Sequence, residues 1–263
     1  MKINTVFFDL GNTLLYNNCP NNDSIRTACQ MLAEKFVSFG YEINPKNLAD
    51  KHFQNLNDYY NLREMDYIEH SADIIFSHTL EEMGFSSIPE EHILAALKAF
   101  YLSTEANWHL TENAVETLET LKKQNKKIGL ITNASYAEDI RQLLQKHRIE
   151  KFFDSVVISA EAGYRKPRQE IFEIALYSLG SRPDESVMIG DSFMADIFGA
   201  CQKGIRSIWF KRYSITSQLT IPLCNPDAET MNLSDIPHIL ANFDKNIVTA
   251  DNSDNNVSRA DVR

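Results

Sequence analysis

The chain has 263 residues, of which 43% are hydrophobic and 24% charged, as in an ordinary globular protein with a sizeable core. A formal net charge of −10 argues against a nucleic-acid polymer or an anionic membrane surface as the main partner. No apolar run is long enough to span a bilayer, the N-terminus has no cleavage-site pattern, and the four cysteines are scattered. We therefore expect a cytoplasmic protein with reduced thiols.

The first predicted element is a short strand over residues 3–8, because Val and Phe dominate a run too short for a helix. A helical block follows over residues 16–106. Its first helix has apolar residues on one face, with Asp23 as the expected N-cap and Gly40 just past the C-terminus. Further helical patterns cover residues 46–60, 65–83 and 89–102.

After residue 106, helices and strands alternate along the chain. The helical patterns cover 112–124, 136–147, 168–179 and 193–203, and the strands cover 127–132, 155–159, 186–191 and 206–210. This alternation predicts an α/β fold whose parallel sheet carries helices on both faces. The core is a Rossmann-like sheet built from residues 1–15 and 107–243, and the block at 16–106 is an inserted α-helical cap. The polar, aperiodic segment 244–263 is expected to be a disordered tail.

Polar side chains stand at the carboxyl ends of the predicted strands or at the start of the helices that follow them. Together they are typical of a ligand-binding or catalytic site. In open α/β sheets, ligands bind at the carboxyl ends of the strands. Each of these residues alone has a structural explanation as a turn, a helix cap or a solvated lysine, and their order and spacing carry the functional interpretation. The residues are Asp9, Thr132, Asn133, Lys166, Asp191 and Asp196.

Four segments in this order, "FFDLGNTLL", "LITNAS", Lys166–Pro167 and "GDSFMAD", resemble the motifs of the haloacid dehalogenase-like (HAD) superfamily. Within it, the chain is similar to phosphatases with a helical cap inserted after the first motif. Over residues 107–210 the similarity is to N-acylneuraminate-9-phosphatase and pyrimidine 5′-nucleotidase relatives. The resemblance implies a Mg²⁺-dependent hydrolase of a small phosphorylated metabolite, a sugar phosphate or a nucleotide, that is a monomer or a homodimer.

The resemblance also implies a role for each carboxylate. Asp9 is the expected nucleophile that forms an aspartyl-phosphate, since a carboxylate attacks without first losing a proton. Mg²⁺ is expected between Asp9, the backbone carbonyl of Gly11 and Asp191, with Asp196 supporting the site through water.

The same resemblance assigns the phosphate to three residues. Thr132, Asn133 and nearby backbone N–H groups are expected to hold its oxygens. Lys166 is expected to neutralise charge, so that catalysis consists mostly of positioning and charge stabilisation.

Gly11 departs from the family pattern, in which a second aspartate two residues after the nucleophile acts as general acid and base. General acid–base catalysis contributes about 10²–10⁴-fold. We therefore expect impaired or specialised catalysis that favours substrates with good leaving groups.

Two alternatives stay open. A 2-haloacid dehalogenase-like hydrolase also lacks the second aspartate, but it needs no metal, and an Asp191/Asp196 pair has little purpose without Mg²⁺. A non-catalytic phosphate-binding relative would keep the metal site and lose turnover.

The cap is expected to be a mobile lid that excludes water and contacts the substrate, although a helical pack that merely covers the sheet would have the same pattern. Its candidate contact residues are Tyr16, Asn17, Arg26, Tyr60 and Arg63.

Overall fold

The structure is a computed structural model that describes residues 2–18, 22–214 and 224–254, with backbone alone at residue 22 and at 246–254. Its elements are, in chain order, β1 (Thr5–Phe8), β2 (Leu15–Asn17), α1 (Asn22–Val37), α2 (Pro45–Asp66), α3 (Ala72–Glu82), α4 (Glu90–Glu105), β3 (Trp108–Leu110), α5 (Ala114–Lys123), β4 (Lys127–Thr132), α6 (Ala137–Lys146), β5 (Ser155–Ile158), α7 (Ser159–Ala162), α8 (Gln169–Leu179), β6 (Ser186–Gly190), α9 (Gly199–Lys203), β7 (Arg206–Phe210), β8 (Ala228–Thr230) and α10 (Ile236–Asp254).

Six strands form one parallel sheet in the order β5-β4-β1-β6-β7-β8. The central strand β1 is fully buried because helices cover both faces of the sheet. Phe8 belongs to the hydrophobic core on one face and Phe7 to the core on the other. After β1 the chain builds β4 and β5 on one side of it, and then crosses back to build β6, β7 and β8 on the other side. This reversal of the strand order creates a crevice at the carboxyl end of β1. Asp9 lies at that point, and the predicted α/β fold class is confirmed.

Helices α1 to α4 form a helical cap with its own core, in which Leu32, Phe36, Leu48 and Phe76 are fully buried. The chain enters and leaves this cap through β2 and β3, which pair with each other antiparallel. The predicted N-cap at Asp23 is wrong, because α1 already includes residue 22 and Asp23 lies in its first turn.

The predicted division into helices 46–60 and 65–83 is also wrong. One helix, α2, runs through to Asp66 and ends at Tyr67, whose φ of 55° lies in the left-handed region. The next residues lie against the core instead of continuing as helix. Arg165 N donates to Tyr67 O at 2.9 Å, and Glu69 N donates to Gly163 O at 3.1 Å. The core loops thus provide hydrogen bonds for backbone groups that would otherwise be paired within a helix. The helix can therefore end at this segment without leaving these groups unpaired.

The predicted helix 193–203 is divided in two. Residues Phe193–Phe198 form one π-helical turn, and only Gly199–Lys203 are α-helical. Such turns are rare and frequently lie at functional sites.

The segment 244–254, predicted to be disordered, is the second half of α10, since a helix adds one hydrogen bond per residue once its first turns are anchored. The rest of the predicted tail, 255–263, lies outside the described residues. Among the helices in the described part of the chain, none is both long and apolar enough to cross a membrane.

Candidate active site

Lys166 is buried at the carboxyl end of β1 and links two of the predicted carboxylates. Its Nζ donates to Asp9 Oδ1 at 2.7 Å, to Asp196 Oδ1 at 2.6 Å and to the carbonyl of Ile131 at 2.7 Å. These three bonds use all the donors of an ammonium group. Burial lowers the pKa of Lys166, but the neighbouring Asp196 and Asp9 outweigh burial, so that its pKa is raised and the ammonium is retained.

Asn133 holds the backbone of Lys166 in place. Its Oδ1 accepts from Lys166 N at 2.8 Å, and its Nδ2 donates to Lys166 O at 3.0 Å. Both ends of the side-chain amide are therefore occupied by hydrogen bonds to Lys166. We expect Asn133 to bind phosphate through its backbone N–H instead of its side chain. Thr132, the last residue of β4, is buried and lines the same cavity as Lys166.

Asp9, Asp191 and Asp196 form a cluster in which one carboxylate oxygen of each lies within 4.8 Å of the others. Burial, followed by the negative charges of Asp9 and Asp196, raises the pKa of Asp191 to about 8. Burial likewise raises the pKa of Asp196 to about 6, although Lys166 opposes the shift. The three carboxyl groups therefore repel each other, and the ammonium of Lys166 forms hydrogen bonds with two of them, Asp9 and Asp196.

Glycine at position 190, the last residue of β6, makes the position of Asp196 possible. A Cβ at Gly190 would lie 2.1 Å from Asp196 Oδ2. That same oxygen accepts from Ser192 N at 3.0 Å, and Ser192 Oγ caps the π-helical turn by accepting from Ala195 N at 3.2 Å. The position of the buried Asp196 carboxylate thus depends on glycine at the end of β6 and on the hydrogen bonds of the π-helical turn.

This donor set fits a divalent cation. Carboxylate oxygens are hard ligands of the kind that Mg²⁺ prefers, and Mg²⁺ is held in proteins by one or two carboxylates together with waters and substrate phosphate. Asp191 lies beside two other carboxyl groups, and a bound cation would compensate their negative charge. Gly11, the predicted donor of a backbone carbonyl, lines the same cavity as Asp9 and Asp191.

The cluster opens into a cavity of about 430 Å³. The core supplies most of its lining, the cap supplies Glu64 and Tyr67, and the linker strand β3 supplies Trp108. None of the five candidate cap contacts lines this cavity. Arg26, for example, lies 3.9 Å above the ring of Phe53 inside the cap.

Trp108 lies beside the unusual glycine. A Cβ at Gly11 would be 3.5 Å from Trp108 Cη2 and 3.7 Å from Cζ3. The indole therefore occupies space next to the position where most phosphatases that the sequence resembles have their second aspartate. Sequence reasoning missed Trp108, since nothing in the local pattern "NWHL" connects it with residue 11.

A buried ion pair joins the cap to the core. Glu69, between α2 and α3, accepts from Arg165 Nη1 at 2.5 Å, from Ser159 Oγ at 2.5 Å and from the hydroxyl of Tyr59. Arg165 and Glu69 are both nearly inaccessible to solvent, with 6% and 5% exposed. Removal of one partner of such a pair leaves an uncompensated charge. Sequence reasoning missed this pair, although Arg165 directly precedes Lys166.

Comparison with known proteins decides the family. The model of the haloacid dehalogenase-like hydrolases matches residues 6–210. The chain belongs to the haloacid dehalogenase-like hydrolase family. Among its relatives, glyceraldehyde 3-phosphate phosphatase of Pyrococcus furiosus is 25% identical over 80% of this chain and 81% of the relative. Ribulose-1,5-bisphosphate 5-phosphatase of Halopiger xanaduensis is 29% identical over 78% of this chain and 83% of the relative.

Solved structures show the same HAD fold. The putative HAD-hydrolase YfnB from Bacillus subtilis bound to magnesium matches with a TM-score of 0.58 and 19% identity, over 91% of this chain and 99% of YfnB. The 2-haloacid dehalogenase of Pseudomonas syringae pv. Tomato matches with a TM-score of 0.64 and 24% identity, over 92% of this chain and 99% of the dehalogenase. At these identities the likeness shows the fold alone, and the chemistry must be argued from the site.

Proposed function

We propose that this HAD-family protein is a Mg²⁺-dependent phosphatase of a small phosphorylated metabolite, with Asp9 as the nucleophile. The observation that carries the proposal is the cluster of Asp9, Asp191 and Asp196 around a single fully engaged Lys166. The names of the relatives support phosphate-ester hydrolysis. The three clustered carboxylates of this chain support the metal.

The residues of the chain account for the chemistry in two steps. The carboxylate of Asp9, fixed through Oδ1 by Lys166, attacks phosphorus; the phosphorus–oxygen bond to the leaving group breaks, and an aspartyl-phosphate forms. Water then attacks this phosphorus, the bond between phosphorus and the Asp9 carboxylate oxygen breaks, and inorganic phosphate leaves while the free carboxylate of Asp9 is regenerated. Thr132 and adjacent backbone N–H groups would hold the phosphate oxygens, and the ammonium of Lys166 would offset their charge. When bound at Asp9, Asp191 and the Gly11 carbonyl, with Asp196 behind them, Mg²⁺ would neutralise phosphate charge and orient the ester.

The same site argues against the dehalogenase alternative. Dehalogenation through Asp9 would need no cation, whereas Asp191 and Asp196 are buried next to Asp9 with raised pKa values. A cytoplasmic location and a monomeric or homodimeric state stay predictions from the sequence.

Phosphate release from p-nitrophenyl phosphate and a panel of sugar phosphates and nucleotides tests the proposal. We expect release with Mg²⁺, none with EDTA, and none from Asp9→Asn in either condition. Hydrolysis that persists in EDTA would refute the requirement for a metal. Hydrolysis that persists in Asp9→Asn would refute Asp9 as the nucleophile. Absence of release from folded wild-type protein across the whole panel would favour the non-catalytic alternative.

A further inference from the structure

The cavity residues that take no part in the proposed mechanism indicate the chemical nature of the organic part of the substrate, beyond its phosphate. Besides the phosphate-binding residues, the cavity is lined by Glu64 and Tyr67 from the cap, Trp108 from β3, and Asp139, Ile140 and Leu143 from α6. This part of the lining combines two aromatic side chains, aliphatic side chains and two carboxyl groups. It contains no cation.

The cations in the rest of the cavity lining already pair with carboxylates of the protein. Lys166 gives all three of its donors to Asp9, Asp196 and a backbone carbonyl. The Nη1 of Arg165 pairs with Glu69 at 2.5 Å, Glu64 Oε1 lies 3.6 Å from its Nη2, and its Nε is buried without a hydrogen-bond partner. Among the described lining residues, each positive side chain therefore already faces a carboxylate of the protein, and none is free of an acidic partner for a second phosphate or a carboxylate on the substrate. A second anionic group would instead lie near the carboxylate of Glu64 and near Asp139, which repels it whenever Asp139 is ionised.

Asp139 is the polar group of this region that most resembles a binding residue. It lies in the first turn of α6, partly buried, on the same cavity wall as Ile140 and Leu143. The charged and titratable groups that act on it or are affected by it are Glu105 and Tyr101 of α4, with Tyr136 and Lys146 beside or on α6.

Burial, followed by the charge of Glu105, raises the pKa of Asp139 to about 7, while Lys146 opposes the shift. Around neutral pH the carboxyl group is therefore partly protonated, and it can donate one hydrogen bond as well as accept others. Hydroxyl groups both donate and accept, so they match such a carboxyl group better than an anion does.

We propose that the organic part of the substrate is neutral and hydroxylated, as in a monophosphate of a sugar or polyol, with hydroxyl groups on Asp139 and the carbon skeleton packed on Trp108. This inference rests on the proposed phosphatase function and narrows its substrate class. An indole offers a large apolar surface to C–H groups, and a few convergent polar groups fix orientation in such pockets. Bisphosphates and inorganic pyrophosphate are expected to be poorer substrates, because no cation without an acidic partner lines this cavity in the described part of the chain, even though a relative is named for a bisphosphate.

Matched pairs of substrates test the charge argument. With Mg²⁺ present, kcat/KM is measured for fructose 6-phosphate against fructose 1,6-bisphosphate, for ribulose 5-phosphate against ribulose 1,5-bisphosphate, and for pyrophosphate. We expect each monophosphate to exceed its bisphosphate and pyrophosphate by at least about 10-fold, the effect of roughly one unfavourable charge contact. A bisphosphate or pyrophosphate that equals or exceeds the monophosphates would overturn the inference.

A second measurement tests Asp139 itself with Glu138→Ala as the control, since Glu138 is the exposed neighbour on the same helical turn. We expect Asp139→Ala to lower kcat/KM for the preferred sugar monophosphate at least about 10-fold more than for phenyl phosphate, which has no hydroxyl group in its organic part. Asp139→Asn keeps the shape and part of the hydrogen bonding, so it should recover part of that loss. Glu138→Ala should keep the wild-type ratio of the two substrates.

Equal losses on both substrates in Asp139→Ala, without recovery in Asp139→Asn, would mean a structural role and would refute the assignment. If wild-type protein hydrolyses phenyl phosphate but no hydroxylated monophosphate, the inference fails while the proposed function stands. If it hydrolyses neither, both fail.

Discussion

The contact between Trp108 and Gly11 leads to a prediction about restoring the missing acid. Gly11 does not have a positive φ, and a Cβ there would lie 3.5 Å from the indole, an ordinary van der Waals distance. We therefore expect Gly11→Ala to fold with wild-type stability to within about 1 kcal/mol. An aspartate must place its carboxyl group about another bond length of 1.5 Å beyond Cβ, next to the ring.

Gly11→Asp alone should therefore gain little activity, whereas Gly11→Asp combined with Trp108→Ala should gain more. General acid–base catalysis is worth about 10²–10⁴-fold, or roughly 3–5 kcal/mol in the activation free energy. The gain should concentrate on poor leaving groups. We would measure kcat/KM with Mg²⁺ on a simple alkyl phosphate and on p-nitrophenyl phosphate, for wild type, both single variants and the double variant.

The expected result is a ratio of alkyl to aryl activity that rises at least about 10-fold more in the double variant than in Gly11→Asp. Trp108→Ala alone controls for the opened space and should leave this ratio low. If Gly11→Asp alone gives the full gain, the indole does not compete for the space of the acid. If the wild-type rate shows no dependence on leaving-group pKa, another residue already supplies the proton.

Three further predictions concern the site, its ion pair with the cap, and the core of the cap. Gly190→Ala would place a methyl group 2.1 Å from Asp196 Oδ2, so we expect at least about a 100-fold loss in kcat/KM with p-nitrophenyl phosphate; near-normal activity would contradict the fitted geometry. Glu69→Ala leaves Arg165 buried without its partner, so urea denaturation should show the free energy of unfolding lowered by about 3–5 kcal/mol, and a loss below about 1 kcal/mol would contradict a buried pair. Burial lowers the pKa of His52 in the cap to about 3, so its neutral form stabilises the cap above pH 6.5 and that contribution is lost as pH falls toward 3. At pH 4.5 the loss is about 3 kcal/mol by linkage, and His52→Gln should show a correspondingly flatter dependence of unfolding on pH between 7 and 4.5; parallel curves would contradict the assignment.

The parts of the site at strand ends could be predicted from the sequence. Parallel strands place their carboxyl ends at one edge of the sheet, so the alternating pattern already implied that Asp9, Thr132 and Asp191 lie near each other. Lys166 followed from the order of the motifs, and the structure brings its Nζ to Asp9 and Asp196.

The parts that depend on contacts between distant segments could not be predicted. Trp108 meets Gly11 only because β2 and β3 pair at the base of the cap. Glu69 meets Arg165 only because α2 ends at Tyr67 and the following segment lies on core loops, and helical periodicity does not contain that information.

Asp139 illustrates a second limit of sequence reasoning. On the helix pattern it is an acidic residue in a first turn, a position that acids favour because of the helix dipole. Its functional interest arises from partial burial in the cavity and from the neighbouring Glu105, which belongs to the cap helix α4. Both are properties of the assembled fold.

The most direct test of the central claim is the mass of the intact protein after acid quenching during turnover of p-nitrophenyl phosphate with Mg²⁺. We predict a species heavier by one phosphoryl group in wild type, with the group located on Asp9 by peptide mapping, and no such species in Asp9→Asn. Phosphate release at full rate with no covalent species at any quench time, or a phosphoryl group mapped to another residue, would contradict the assignment of Asp9 as nucleophile.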